Sequence, residues 1–145
     1  MSIPAHQELV FPFGDGGCFG CSKSNPAGLQ LRFFREGDEV RSPLSVPDRF
    51  HGAPGIAHGG IVATILDEFS CAAAVFLEGK RVVTGELTVR YEAPVHVETE
   101  LEASARVLDR SHPKYLVIEA EIREGGRRLA RSSGRFFPQA AVAND

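Results

Sequence analysis

Four residues in the middle of the chain have types and spacing suited to chemistry at a carbonyl group. His58 is followed by Gly59 and Gly60, and Asp67 comes nine positions after the histidine. If a helix begins at the glycines, their free backbone N–H groups lie at its positive end and polarise a carbonyl oxygen held there. One such donor typically contributes about 10²- to 10³-fold in rate. A single helix offers only half of such a site, so we expect a subunit interface to supply the other half.

Each of these residues also has a purely structural interpretation. A histidine before a helix commonly caps it or orders the preceding loop, and paired glycines suit a tight turn. Asp67 is compatible with an exposed polar position, while Glu68, nearer the apolar side of the helix, favours a structural role. The combination of residues, more than any one of them, favours a functional site.

Cys18 and Cys21 form a second candidate group, a C-x-x-C pair. A structural zinc site needs four ligands, and the possible additional ligands, His6, Asp15 and His51, have no recognisable spacing. A redox pair would be expected at the start of a helix that follows a strand. We therefore expect two packed thiols and no metal, with a zinc or thiol-redox module as the alternative.

The helix that carries Asp67 is predicted over residues 61–78, a long stretch without proline or glycine. At about 100° per residue, its large apolar side chains share an arc of about 140°, as a core-facing helix requires. The opposite side carries small residues around Asp67, namely Gly60, Ala63, Cys71 and Ala74. This small-residue strip would admit another subunit's helix or a slender ligand.

Strands are predicted over residues 29–35, 82–92, 99–108, 115–123 and 128–137, with a weaker candidate at 40–46. Apolar and charged residues alternate most clearly in the third and fourth of these, and Gly125-Gly126 joins the last two as a hairpin. Five or six largely antiparallel strands with one long helix on the dry face define an α+β fold. We expect an irregular N-terminal lead-in at 1–28, one folded domain at 29–138 and a flexible tail at 139–145.

The composition excludes several function classes. The chain has 145 residues, a formal net charge of −3 and 43% hydrophobic residues, which suit one domain. Basic residues are interspersed with acidic ones, so a nucleic-acid surface is not expected. No apolar run is expected to reach the ~20 residues of a bilayer span, so we predict a cytoplasmic protein without a membrane partner.

Three stretches resemble a known family. They are residues 52–67 (GAPGIAHGGIVATILD), residues 82–94 (VVTGELTVRYEAP), and the lead-in from Cys18 to Leu29 with its CFGC and NPAGL segments. Together they resemble hotdog-fold acyl-CoA thioesterases of the 4-hydroxybenzoyl-CoA thioesterase superfamily, in the branch related to phenylacetate-pathway (PaaI-like) and THEM-type enzymes. The resemblance covers nearly the whole domain.

The resemblance implies an antiparallel sheet wrapped around the long helix, and a homodimer or dimer of dimers with active sites at the subunit interface. Asp67 would be the general base or the nucleophile, and the Gly59 N–H would bind the oxyanion. His58 would orient the loop near the thioester. Thr84 would hold the attacking water, meeting Asp67 across the dimer, although strand alternation turns Thr84 away from Leu87 and Val89 unless Gly85 forms a bulge.

The implied function is hydrolysis of an acyl or aryl-acyl thioester to the free acid and coenzyme A, with no cofactor. Phe50, Phe69 and Phe76 could line the acyl pocket. Gly60, Arg110 and Lys114 are weaker candidates for substrate contacts, since coenzyme A is a phosphate-rich ligand and the latter two lie with His112 in one turn. The alternative is a hotdog module that binds acyl-CoA or acyl chains without turnover.

Overall fold

The computed structural model describes residues 7–14 and 16–140. Its elements follow one another as two strands, a 3-10 turn, one long helix and four strands. They are β1 (Phe34–Glu36), β2 (Glu39–Leu44), the 3-10 turn (Asp48–Phe50), α1 (Gly59–Glu78), β3 (Val82–Tyr91), β4 (Leu101–Asp109), β5 (Leu116–Glu124) and β6 (Arg127–Pro138).

The six strands form one antiparallel sheet in the order β1-β2-β4-β5-β6-β3. The predicted hairpin of β5 and β6 is present, and Gly125 in its turn has φ 58°, a left-handed conformation that glycine adopts without strain. β3 is at one edge of the sheet and pairs only with β6 among the described residues. The predicted α+β hotdog arrangement is confirmed.

The core lies between α1 and one face of the sheet. The alternation predicted for β4 and β5 is confirmed, with inward-facing side chains at Leu101, Ala103, Ala105, Leu116, Ile118, Ala120 and Ile122. The apolar arc of α1 packs on this face through Val62, Ile65, Leu66, Phe69, Ala72 and Ala73, all buried. Because α1 packs across the centre of the sheet, its position relative to β3 is fixed.

Both ends of α1 are capped by residues suited to that role. His58 is the N-cap, and Gly79 ends the helix with φ 66° while its N–H donates to Val75 O. The expectation that no segment reaches the length of a bilayer span is wrong, because the 20 residues of α1 meet that criterion by length and composition. A core helix meets the same criterion, and α1 packs against the sheet.

The strand predicted at 29–35 is also wrong over most of its length, because only Phe34–Glu36 is a strand. Gln30 has φ 51°, and the N–H groups of Leu29 and Leu31 donate to carbonyls of Phe19 and Gly20. The segment is therefore bonded to the N-terminal lead-in instead of to the sheet. The alternation of buried and exposed side chains is nevertheless present, because Leu31 and Phe33 are buried and Arg32 between them is exposed.

The small-residue strip of α1 is not open along its whole length. Ala74 is fully buried, and Cys71 and Asp67 are partly buried. β3 covers the strip near Asp67, and Phe11, Cys18 and Cys21 of the lead-in border a cavity together with Cys71. The described part of the lead-in contains no helix or strand, and the predicted tail lies, from residue 141 onward, outside the described residues.

Candidate active site

Asp67 and Thr84 form the centre of the site. Thr84 Oγ1 donates a hydrogen bond to Asp67 Oδ1 at 2.6 Å, and both side chains are partly buried. The expectation that these residues meet across a dimer is wrong, because the contact is within one chain. α1 and β3 pack side by side, so the middle of the helix already lies against the first residues of β3.

A β-bulge in β3 makes this contact possible. The pairing of β3 with β6 shifts register between Thr84 and Glu86, which leaves Gly85 as the extra residue. Val82 and Thr84 before the bulge, and Leu87 and Val89 after it, are thereby all partly buried. The sequence-based condition for Thr84 to face the helix, a bulge at Gly85, is met.

The start of α1 is held by two side chains. His58 Nδ1 accepts a hydrogen bond from the Gly60 N–H at 2.9 Å, and Tyr91 donates its hydroxyl to Gly59 O at 2.7 Å. The expectation that the N–H groups of Gly59 and Gly60 are both free is therefore wrong for Gly60, because its N–H donates to the His58 imidazole. Within the described chain, the Gly59 N–H has no hydrogen-bond acceptor. Among the described residues, Gly59 thus keeps the one backbone N–H of the first turn that has no acceptor.

Asp67 and Gly59 of one chain are far apart. They are eight positions apart on the helix, which is about 12 Å along the axis. The N–H groups of the first turn also point away from the helix, and so away from Asp67. A carbonyl oxygen bound at Gly59 of one chain is therefore out of reach of Asp67 in the same chain.

Cys71 lies one turn after Asp67 and also contacts the site. Its Sγ is 3.7 Å from Thr84 Oγ1. Burial, and to a lesser extent the negative charge of Asp67, raises the pKa of the Cys71 thiol to about 12. The thiol is therefore neutral at physiological pH. The sequence alone did not indicate a role for Cys71 or Tyr91, although the helical spacing of Cys71 from Asp67 is a signal that the two share a face.

A cavity of about 340 Å³ opens at the start of α1. It is lined by Arg49, Phe50, His51, His58, Gly60, Ile61 and Thr64. Of the three phenylalanines expected to line an acyl pocket, Phe50 is in this cavity. Phe69 is fully buried and packs edge-on against Phe33 at 4.9 Å, so the expectation is wrong for Phe69.

The predicted phosphate contacts lie far from the helix start. Arg110 is exposed and paired with Glu78 at the last residue of α1, with 3.0 Å between Nε and Oε1. Lys114 is exposed in the same turn, where its N–H donates to His112 Nδ1. A larger groove of about 570 Å³ lies on the outer sheet face among charged residues, away from Asp67.

The fold and the site together define a single-helix hotdog protein with a carboxylate on the helix and a free amide at its start. Residues 54–131, more than half of the chain, match the family model of the thioesterase superfamily. The chain belongs to the thioesterase superfamily.

Comparison with individual proteins agrees with this assignment. A stretch of 44 residues is 48% identical to acyl-coenzyme A thioesterase THEM4 of Xenopus laevis, and it covers 30% of this chain and 19% of that protein. The matched region is thus about a fifth of the relative's length.

Solved structures show the same fold. A thioesterase superfamily protein superposes with a TM-score of 0.71 and 23% identity over 78% of this chain and 55% of that chain. AziG of S. sahachiroi superposes with a TM-score of 0.70 and 26% identity, covering 78% of this chain and 94% of that one.

Proposed function

We propose that this protein hydrolyses an acyl-CoA thioester to the free acid and coenzyme A, at a site formed by two subunits. Membership of the thioesterase superfamily supports the reaction class, and the partial likeness to an acyl-coenzyme A thioesterase supports the substrate class. The hydrogen bond between Thr84 and Asp67 carries the proposal, because it holds a carboxylate in a defined, partly buried position between α1 and β3.

In this mechanism Asp67 acts as a general base. A water hydrogen-bonded to Asp67 and to the Thr84 hydroxyl oxygen gives its proton to the carboxylate as its oxygen attacks the thioester carbonyl carbon. The negative charge that develops on the carbonyl oxygen is stabilised by the Gly59 N–H of the second subunit and by the helix dipole. The carbon–sulfur bond then breaks, and the thiolate of coenzyme A takes up the proton.

The separation of Gly59 from Asp67 in one chain supports a shared site. A base, a water, a carbonyl group and an amide donor in contact span less than about 10 Å. The free amide lies further than this from Asp67 of its own chain and points the other way. A second subunit whose helix start lies near Asp67 would bring a Gly59 N–H within reach of the same carbonyl group. In a symmetric dimer this arrangement creates two equivalent sites.

The exposed edge of β3 supports the same assembly. β3 is ten residues long and carries both Thr84 and Tyr91, and its outer edge is unpaired among the described residues. Unprotected edge strands of this length are normally covered in the native assembly. Pairing of β3 with a second copy would cover the edge and bring a second chain to the site.

The experiment is a free-thiol assay with phenylacetyl-, benzoyl-, short- and medium-chain acyl-CoA esters. We expect Asp67→Asn, which preserves shape but removes the base, to lower kcat/KM by about 10²- to 10⁴-fold. Asp38→Asn, in the exposed turn between β1 and β2, is the matched control and should retain wild-type activity. Turnover by Asp67→Asn equal to that of the control would refute the role of Asp67. Binding without turnover by the wild type would favour the alternative acyl-CoA-binding module.

A further inference from the structure

Three potential metal ligands converge beside α1. The Sγ atoms of Cys18 and Cys21 and a carboxylate oxygen of Glu68 all lie within 4.8 Å of one another. Cys18 Sγ donates a hydrogen bond to Glu68 Oε1 at 3.4 Å, although the two residues are 50 positions apart in sequence. None of the completing ligands considered from the sequence is in this group: His51 lies elsewhere, and His6 and Asp15 are outside the described residues.

Glu68 is a partly buried carboxylate without a cation. No lysine, arginine or histidine among residues 7–14 and 16–140 forms an ion pair with it. Its carboxylate accepts a hydrogen bond from the Cys18 thiol, and the Cys21 thiol lies within 4.8 Å of it. Carboxylates removed from water are normally paired with a cation or bound to a metal, so the present partners leave a net attraction for positive charge.

The loop that carries the cysteines is built around the Glu68 side chain. A Cβ atom at Gly20 would lie 2.3 Å from Glu68 Cγ, so a residue with a side chain at position 20 would displace the carboxylate. The loop is also fixed by backbone hydrogen bonds from Leu29 to Phe19 at 2.9 Å and from Leu31 to Gly20 at 3.0 Å. The two thiols are thereby held in place before any ion binds.

We propose that Cys18, Cys21 and Glu68 bind one Zn²⁺ ion or a similar thiophilic divalent cation. Thiolate sulfur and carboxylate oxygen are established zinc ligands, and a tetrahedral ion keeps such ligand atoms about 3.4 to 3.8 Å apart. Side-chain movements of about 1 Å close the cluster to that size. Both thiols release their protons to solvent on binding, and two thiolates, one carboxylate and Zn²⁺ give the site a net charge of −1.

Water supplies the fourth ligand. A cavity of about 170 Å³ is bordered by Cys18, Cys21 and Glu68 and continues to Cys71 and Val82, so a water has both access and space. The bound ion connects the lead-in to α1 at the residue that follows Asp67. Its predicted role is to fix that part of the helix, and the site exists whether or not the protein is a thioesterase.

A disulfide between Cys18 and Cys21 is the competing interpretation of the pair. It would consume both thiols and leave Glu68 partly buried without the hydrogen bond from the Cys18 thiol. The carboxylate at the pair therefore favours a cation over a disulfide.

The test is titration of the full-length, reduced, metal-free protein with Co²⁺, followed by Zn²⁺. We expect one Co²⁺ per chain with a thiolate-to-cobalt charge-transfer band and the visible spectrum of a tetrahedral ion, both abolished by one equivalent of Zn²⁺. Absence of the charge-transfer band in the wild-type protein would overturn the proposal without any variant.

Variants assign the ligands. Cys21→Ser and Glu68→Gln should each weaken Co²⁺ binding by at least about 100-fold, since loss of even an outer-shell partner costs about 10- to 100-fold. Cys71→Ser, which removes a thiol outside the cluster, is the matched control and should bind Co²⁺ as the wild type does. Circular dichroism establishes that each variant is folded. Wild-type affinity in folded Cys21→Ser would contradict the assignment.

Discussion

The chemistry of the site depends on which backbone and side-chain groups are already engaged. His58 is hydrogen-bonded to Gly60, and Tyr91 to the Gly59 carbonyl, and in the proposed mechanism the Gly59 N–H binds the substrate carbonyl. In the proposed mechanism His58 would act by fixing the helix start, through the same hydrogen bond that caps α1. Asp67 is held by Thr84 in a similar way.

The role of the Gly59 amide can be tested by removing only its hydrogen. Position 59 is the first residue of α1, where proline is well tolerated, and the preceding His58 has φ −56° and ψ 136°, which a following proline accepts. We expect Gly59→Pro to fold and to lower kcat by about 10²- to 10³-fold. Gly59→Ala keeps the N–H, and its Cβ would meet Tyr91 Oη at an ordinary 3.6 Å, so it should retain most of the activity. Equal activity of the two variants would exclude the amide as the oxyanion donor.

The raised pKa of Cys71 gives a pH-dependent prediction. With a pKa of about 12, the thiolate is about one part in 10⁴ at pH 8, whereas an unperturbed thiol of pKa about 8.5 is about one quarter ionised. Iodoacetamide should therefore modify Cys71 about 10³-fold more slowly in the folded than in the denatured protein, and the folded-state rate should rise about tenfold per pH unit from 8 to 10. Peptide mass spectrometry measures both rates. If the folded protein were labelled as fast as the denatured protein, the Cys71 thiol would be neither buried nor raised in pKa.

At the scale of elements, the site depends on how β3 and α1 are packed together. The bulge at Gly85 turns Thr84 toward the helix, while the rest of β3 keeps its pairing with β6. Without the bulge, alternation would place Thr84 on the other face of the sheet, away from Asp67. The glycine is required because the aromatic ring of Phe137 occupies the space of its missing side chain.

Gly85→Ala should therefore destabilise the protein. The new Cβ would lie 2.3 Å from Phe137 Cε2, and displacing the ring costs about 1–3 kcal/mol in the free energy of unfolding. Gly126→Ala, in the hairpin between β5 and β6, is the control because nothing lies within 4 Å of its Cβ position. Urea unfolding of both variants measures the difference. Equal stability would mean that the ring moves freely and that the bulge is not constrained by Phe137.

Elements with local periodicity were predictable from the sequence, and contacts between distant segments were not. Residues close together in sequence determine the alternation in β4 and β5 and the apolar arc of α1, and the structure confirms both patterns. Residues 29–33 alternate equally well, yet bond to the lead-in because Gln30 adopts a left-handed conformation. The approach of Glu68 to Cys18 joins positions 50 residues apart, for which the sequence contains no periodic signal.

At the scale of the whole molecule, one chain contains both halves of the proposed site, but too far apart to act on one carbonyl. Asp67 lies in the middle of α1 and contacts Thr84 at the start of β3. The free Gly59 N–H lies at the start of α1, next to Tyr91 at the end of β3. β3, which carries Thr84 and Tyr91, is the edge strand, and its outer edge is unpaired among the described residues. A homodimer, or a dimer of dimers, is the assembly that the proposed mechanism requires, and an active monomer in sedimentation would be incompatible with it.

Mixing two inactive variants tests the shared site most directly. Asp67→Asn and Gly59→Pro are each expected to be nearly inactive as homodimers, but a heterodimer contains one site with both defects and one site with neither. Co-refolding equal amounts gives a statistical mixture in which about half of the dimers are mixed, so we expect recovery to about a quarter of wild-type kcat per chain. Native mass spectrometry verifies that the heterodimer has formed. A heterodimer that forms and remains as inactive as its parents would contradict a site that combines Asp67 of one subunit with Gly59 of the other.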